Sequence, residues 1–127
     1  MCGALRYEAD GPPKFMGNCY CKDCRKASGS GFMPFMGFAA GKIWFSGESR
    51  AFLCAAEGGR AARRNFCPVC GGLVFGGEVG VSDFHTVYAG SLDDASLFRP
   101  TMAIFGRDRP DWVIMPAGLK VFEGMPS

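Results

Sequence analysis

The chain has 127 residues, 48% hydrophobic and 20% charged, with a formal net charge of +2. That length suits one domain with a real core and is too short for two independent ones. So small a net charge gives no bulk electrostatic case for a nucleic-acid partner. The N-terminal run MCGALRYEADGPPKF lacks a basic segment followed by an apolar one, so nothing in it reads as a secretion signal. The apolar stretch from Gly31 to Gly41 is interrupted by Pro34 and Gly37 and falls well short of the roughly 20 residues that cross a bilayer. A cytoplasmic, reducing location is expected, where clustered thiols more often hold metal or do chemistry than form disulfides. Seven cysteines is an odd number, which also argues against a complete disulfide framework.

In chain order the sequence reads as many short strands joined by turns. The 19 glycines and 8 prolines recur too often for long helices. Strands are expected at Ala4 to Ala9, Gly31 to Phe38, Lys42 to Phe45, Arg50 to Ala55, Arg63 to Cys67, Leu73 to Phe75, Thr86 to Ala89, Thr101 to Phe105 and Trp112 to Met115. SGES, Ser46 to Ser49, reads as a hairpin turn between two of them. A helical turn can follow Asp23, and a short helix is expected after Ser91, with Asp94 completing a capping box and Arg99-Pro100 ending it. No internal repeat, low-complexity tract or linker is visible, so residues 1–127 are read as one domain.

The cysteines carry the chemical information. CPVCG, with Cys67 and Cys70, has the form of a zinc knuckle. Two intervening residues let both sulfurs face one tetrahedral ion, Pro68 presets the turn, and Gly71 permits the close approach. NCYCKDCRK places Cys19, Cys21 and Cys24 in nine residues. On an extended strand Cys19 and Cys21 face one side, and Cys24 can fold back if a helix starts near Asp23. Three thiols without a fourth look like an open zinc site, since structural sites close with four ligands and catalytic ones keep a position for water or substrate. Zinc with three thiolates carries a charge of about −1. Lys22, Arg25 and Lys26 can offset it, can bind the carboxylates of an anionic thiol substrate, or can be solvated surface charges.

The ordered series CGALRYE, NCYCKDCRKASGSGF, RNFCPVCGGLVF, VYAGSLDD, FRP and WVIMPAGLKVFE resembles the glutathione-dependent formaldehyde-activating enzyme family, which includes the centromere protein V group. The resemblance covers almost the whole chain. It implies a mainly β, β-tent fold organised around cysteine-bound zinc. It assigns catalytic zinc to Cys19, Cys21 and Cys24, and a structural zinc to an N-terminal Cys-x-Cys-Gly together with Cys67 and Cys70. Cys2 matches the second cysteine of that N-terminal motif. The first would fall one residue before Met1, so the start is late, the chain is clipped, or another ligand completes the site. The implied activity joins glutathione to formaldehyde, a carbon–sulfur lyase reaction run in reverse, and other small thiols or aldehydes are compatible with it. A non-catalytic, zinc-stabilised binding module is the alternative. A third reading is a zinc-ribbon-like site of Cys21, Cys24, Cys67 and Cys70, which leaves Cys19 without a role and exceeds the usual ribbon spacing.

Other motifs have plainer readings. His85, the one histidine, lies in SDFHT and is expected at the surface rather than in catalysis. SGSGF, Ser28 to Phe32, is either an anion-wrapping loop or a turn. Cys54 in AFLCAA is expected as a small buried apolar residue, and Arg60, Arg63 and Arg64 as a solvated hairpin face. The phenylalanines and methionines from Phe32 to Phe38 are expected in the core by strand alternation.

Overall fold

A computed structural model describes residues 1–126. Among these described residues the fold is mainly β, with ten strands in two sheets and one α-helix. Strands β1 (Arg6–Ala9) and β4 (Ile43–Ser46) form an antiparallel pair with Tyr7 opposite Phe45. The other eight are β2 (Phe15–Cys19), β3 (Met33–Ala39), β5 (Arg50–Ala55), β6 (Ala61–Phe66), β7 (Leu73–Gly76), β8 (Phe84–Tyr88), β9 (Met102–Ile104) and β10 (Lys120–Val121). They make one sheet in the order β10-β9-β2-β3-β8-β7-β6-β5, parallel where β9 meets β2 and β10 and antiparallel elsewhere. Helix α1 (Lys22–Ser28) joins β2 to β3.

Strand β3 sits near the middle and is buried on both faces. Met36 and Phe38 pack with Leu5, Ile43, Val74, Phe75 and Cys67 on one side. Met33 and Phe35 pack with Cys19, Ile104 and Phe105 on the other. The alternation of a strand therefore sends successive residues into two separate cores. The expected burial of residues 32–38 is met, but both faces are covered, where alternation on a half-exposed strand would leave one face in solvent.

Several expected elements and placements differ from the structure. Residues Phe15–Cys19 form an unforeseen strand, because Gly17 and Asn18 weaken the strand signal. Gly17 serves close packing there: a Cβ on it would lie 2.6 Å from Met102 Cγ and 2.7 Å from Phe35 Cζ. Trp112 to Met115 is not a strand; Val113 alone of the first three is buried, and its side chain covers Gly31. After Tyr88 the chain makes two 3-10 turns, Ala89–Ser91 and Ala95–Leu97, and no α-helix, since the Ser91 hydroxyl bonds back to Tyr88 O at 2.7 Å and Asp94 caps only the second turn. Ser46–Ser49 links two different sheets and does not close a hairpin. His85 is buried, 2% exposed, because β8 turns it and Val87 inward while Thr86 and Tyr88 face the other way. Its Nδ1 lies 3.0 Å from Gly76 O, and its ring stands edge-on to Phe45 and Phe75.

Adding a methyl at Gly17 must push β2 away from Met102 and Phe35. Gly17→Ala should lower stability by about 1–3 kcal/mol in urea unfolding, whereas Gly41→Ala, whose added carbon meets nothing within 4 Å, should stay within about 0.5 kcal/mol of the parent. Equal midpoints for the two variants would contradict this packing.

Candidate metal centre

Strand β2 ends at Cys19, held between Met33 of β3 and Ile104 of β9. Tyr20 continues inward, its N–H bonded to Ile104 O at 3.0 Å. Cys21 then caps α1: its backbone is extended, and its Sγ accepts from the Cys24 N–H at 3.3 Å. A thiol thus takes the place that serine or aspartate usually fills at a helix start. One turn later Cys24 faces the same way, and the sulfurs of Cys19, Cys21 and Cys24 all lie within 4.8 Å of one another. The helix ends at Gly29 in the left-handed region, where its N–H reaches Arg25 O. Ser28 bonds within this turn, to Arg25 O, Phe32 O and the Ser30 N–H, so SGSGF is a helix-terminating turn and lies away from the sulfurs' cavity.

The three thiols are electrically unequal. Side-chain bonds from Cys19 and Cys24, with backbone N–H groups of Cys24 and Asp23, hold Cys21 down to about 2 against the opposing effect of burial. Cys19 is pushed far up, first by its bonds to Cys21 and Cys24 and then by burial. For Cys24, the lowering bond with Cys19 is outweighed by that with Cys21, by burial and by the Cys21 charge, which together push it up to about 11. Without a metal ion, the surroundings favour ionisation at Cys21 and oppose it at Cys19 and Cys24.

These sulfurs border a cavity of about 840 Å³ lined also by Phe35, Arg64 and Tyr88, with charged groups of both signs around it. That size falls in the range of small-molecule sites. Burial, partly offset by Arg64, raises the Tyr88 phenol to about 12, so it remains a neutral hydrogen-bond donor at pH 7. Of the three cations next to the thiols in sequence, Lys22 and Lys26 are exposed, and Arg25 turns its Nε to Tyr20 O. The cation that touches the sulfurs is Arg64: Nη2 lies 3.5 Å from Cys24 Sγ and Nη1 3.5 Å from Cys54 Sγ. The expected solvated face of Arg60, Arg63 and Arg64 therefore holds only for Arg60, and Cys54 is half-buried beside a guanidinium rather than sealed in apolar surroundings. The arginines were visible in sequence, but β6's registry with β5 and β7 decides which one turns inward.

A second triplet, Cys2, Cys67 and Cys70, forms on the opposite side of β3, again with its sulfurs within 4.8 Å of one another. Cys2 Sγ and Cys67 Sγ are 3.6 Å apart. Gly71, at φ 76°, lets its N–H reach Cys67 O at 2.8 Å and closes the knuckle turn. Asn65, a residue without a sequence signal, ties β6 to β7 beside their bulge by donating from Nδ2 to Phe75 O at 3.0 Å and Gly77 O at 2.8 Å. The ribbon-like grouping of Cys21, Cys24, Cys67 and Cys70 does not form among the described residues, because β3 stands between the two pairs. A larger hollow of about 1200 Å³ borders Cys2 but reaches none of the first triplet.

Backbone N–H groups of Gly72 and Cys2 lower the Cys70 thiol to about 6, while Cys19 is buried and raised. In metal-free, reduced protein at pH 7, iodoacetamide should therefore label Cys70 well before Cys19, and the Cys70 rate should fall as pH drops through about 6. Peptide mapping reads both, and equal labelling would contradict the assignment of charge.

Each triplet can hold a metal ion. A family model described as glutathione-dependent formaldehyde-activating enzyme matches residues 1–108. No curated protein matches the chain. With the match running over both thiol triplets and the sheet between them, the chain belongs to the glutathione-dependent formaldehyde-activating enzyme family.

Proposed function

We propose that residues 1–127 form a single zinc-binding domain of the β-tent type, a cytoplasmic carbon–sulfur lyase-type enzyme. It acts on adducts of glutathione or a similar small thiol with formaldehyde or another small aldehyde. Cys19, Cys21 and Cys24 would hold the reacting zinc, and Cys2, Cys67 and Cys70 a structural one. The observation that carries this reading is the first triplet's position at the wall of a cavity of substrate size.

The donor set fits zinc. Tetrahedral zinc with Zn–S bonds of about 2.3 Å needs sulfurs roughly 3.8 Å apart, within the 4.8 Å bound in both triplets. Soft thiolates favour zinc over magnesium or calcium. Bound in the first triplet, zinc would supply the positive charge that keeps a substrate thiol ionised near neutral pH.

The chain's own residues account for the rest. Phe35, Met33 and Phe15 make one side of the cavity apolar and limit water around a small aldehyde. The lining carries Lys22, Arg60, Arg63 and Arg64 beside Asp23, Glu57, Glu78 and Asp108, and Arg63 pairs with Glu78, so Lys22, Arg60 and Arg64 are the cations offered to the carboxylates of a glutathione-like thiol. Tyr88 keeps its proton and offers a donor to a carbonyl oxygen. In the synthetic direction the thiolate sulfur bonds to the aldehyde carbon, the C=O π pair moves to oxygen, and oxygen takes a proton from water. The lyase direction reverses each change. Because thiols add to formaldehyde unaided, the protein's contribution is approximation and ionisation.

Exchange between free formaldehyde and its glutathione adduct, followed by NMR, should run faster with protein than without. Cys21→Ser and Cys24→Ser should each reduce the enhancement by about 100-fold or remove it, since even partners outside the ligand set matter by 10–100-fold. Exchange at the spontaneous rate with metal-loaded protein would contradict catalysis and favour a binding module.

A further inference from the structure

We propose that Arg64 is a positioning residue of the first thiol triplet: its guanidinium spans Cys24 and Cys54, fixes the Cys24 sulfur, and provides the permanent positive charge that favours an anionic ligand there. The proposal rests on reading Cys19, Cys21 and Cys24 as a metal site. Arg64 stands on β6, opposite Phe52 of β5 on one side and Gly76 of β7 on the other. Gly76 has no side chain to fill the space between them, and a Cβ there would come 3.5 Å from the Tyr88 hydroxyl. The guanidinium occupies the cavity wall with one Nη on each sulfur, and its Nε is buried without a hydrogen-bond partner.

No carboxylate pairs with Arg64 among the described residues; the ion pairs found use Arg6, Lys42, Arg63 and Arg107. A half-buried guanidinium with no carboxylate is costly unless another anion balances it. In the thiolate form that metal binding imposes, the Cys24 sulfur at 3.5 Å is the group placed to do so. Charge balance gives this a purpose. Three thiolates and a divalent ion sum to about −1, and an incoming thiolate would bring the total to about −2. The fixed charge on Arg64 removes one unit of that excess, which favours a thiolate over neutral water as the added ligand. The guanidinium fork also suits two acceptors held apart, where a lysine ammonium offers one point charge. Cys54 then acts as the second anchor of the fork, which explains a cysteine beside a cation on an otherwise apolar strand segment.

Cobalt(II) replaces zinc as a spectroscopic probe. Metal-free, reduced wild type, Arg64→Gln, Arg64→Lys and Cys54→Ala would be titrated with cobalt, and protection of each cysteine against alkylation would be read peptide by peptide. Arg64→Gln should weaken protection of Cys19, Cys21 and Cys24 by about 10–100-fold in cobalt concentration and leave Cys67 and Cys70 unchanged. Arg64→Lys and Cys54→Ala should each show a smaller weakening confined to the first triplet, and addition of glutathione should shift the cobalt spectrum of wild type more than that of either Arg64 variant. Unchanged protection in Arg64→Gln, or in Arg64→Lys should the glutamine variant not fold, would overturn the role of Arg64 while leaving the metal site standing. Absence of protection in wild type would instead overturn the metal-site reading, and this proposal with it.

Discussion

Like charges held close together impose the governing constraint on this molecule. Each thiol triplet keeps three sulfurs within 4.8 Å. Two unit charges about 4 Å apart repel by roughly 4 kcal/mol at the effective dielectric of a protein surface, so three thiolates cannot coexist there unaided. Within the first triplet the surroundings favour the ionised form of Cys21 and hold Cys19 and Cys24 toward their protonated forms. Full ionisation needs positive charge brought among the sulfurs. A divalent metal would supply most of it, and Arg64 supplies one fixed unit from the cavity wall.

The fold makes two such sites from one strand. Because β3 is covered on both sides, Met33 and Phe35 support the first triplet while Met36 and Phe38 support the second. The two share a scaffold yet differ in surroundings. The first opens on a cavity bearing arginines and the Tyr88 phenol. The second forms around a tight knuckle turn, with Cys67 only 2% exposed, and borders a separate hollow through Cys2.

Sequence disclosed the chemistry more readily than the architecture. The triplet spacing and the CPVCG knuckle are local signals, and local geometry decides them: a strand end, a helix cap and a tight turn bring neighbouring sulfurs together. Family likeness was legible through the order of several short motifs, and the match over residues 1–108 agrees with it. What remained hidden depends on long-range pairing. Whether Arg63 or Arg64 turns inward is settled by strand registry, and the presence of Cys54 beside Arg64 by β5 lying next to β6. His85 in a polar loop sequence gave no sign that β8 would carry it under Phe45 and Phe75. Gly17, which weakens the strand signal of residues 15–19, is the gap through which Phe35 and Met102 approach.

Zinc content of protein purified without chelators, measured per chain by elemental analysis and compared with a Cys24→Ser variant, tests the central claim most directly. One ion in each triplet predicts about two zinc per chain, falling to about one in the variant. A wild-type chain with no bound zinc and all seven thiols free to react in the native state would contradict it.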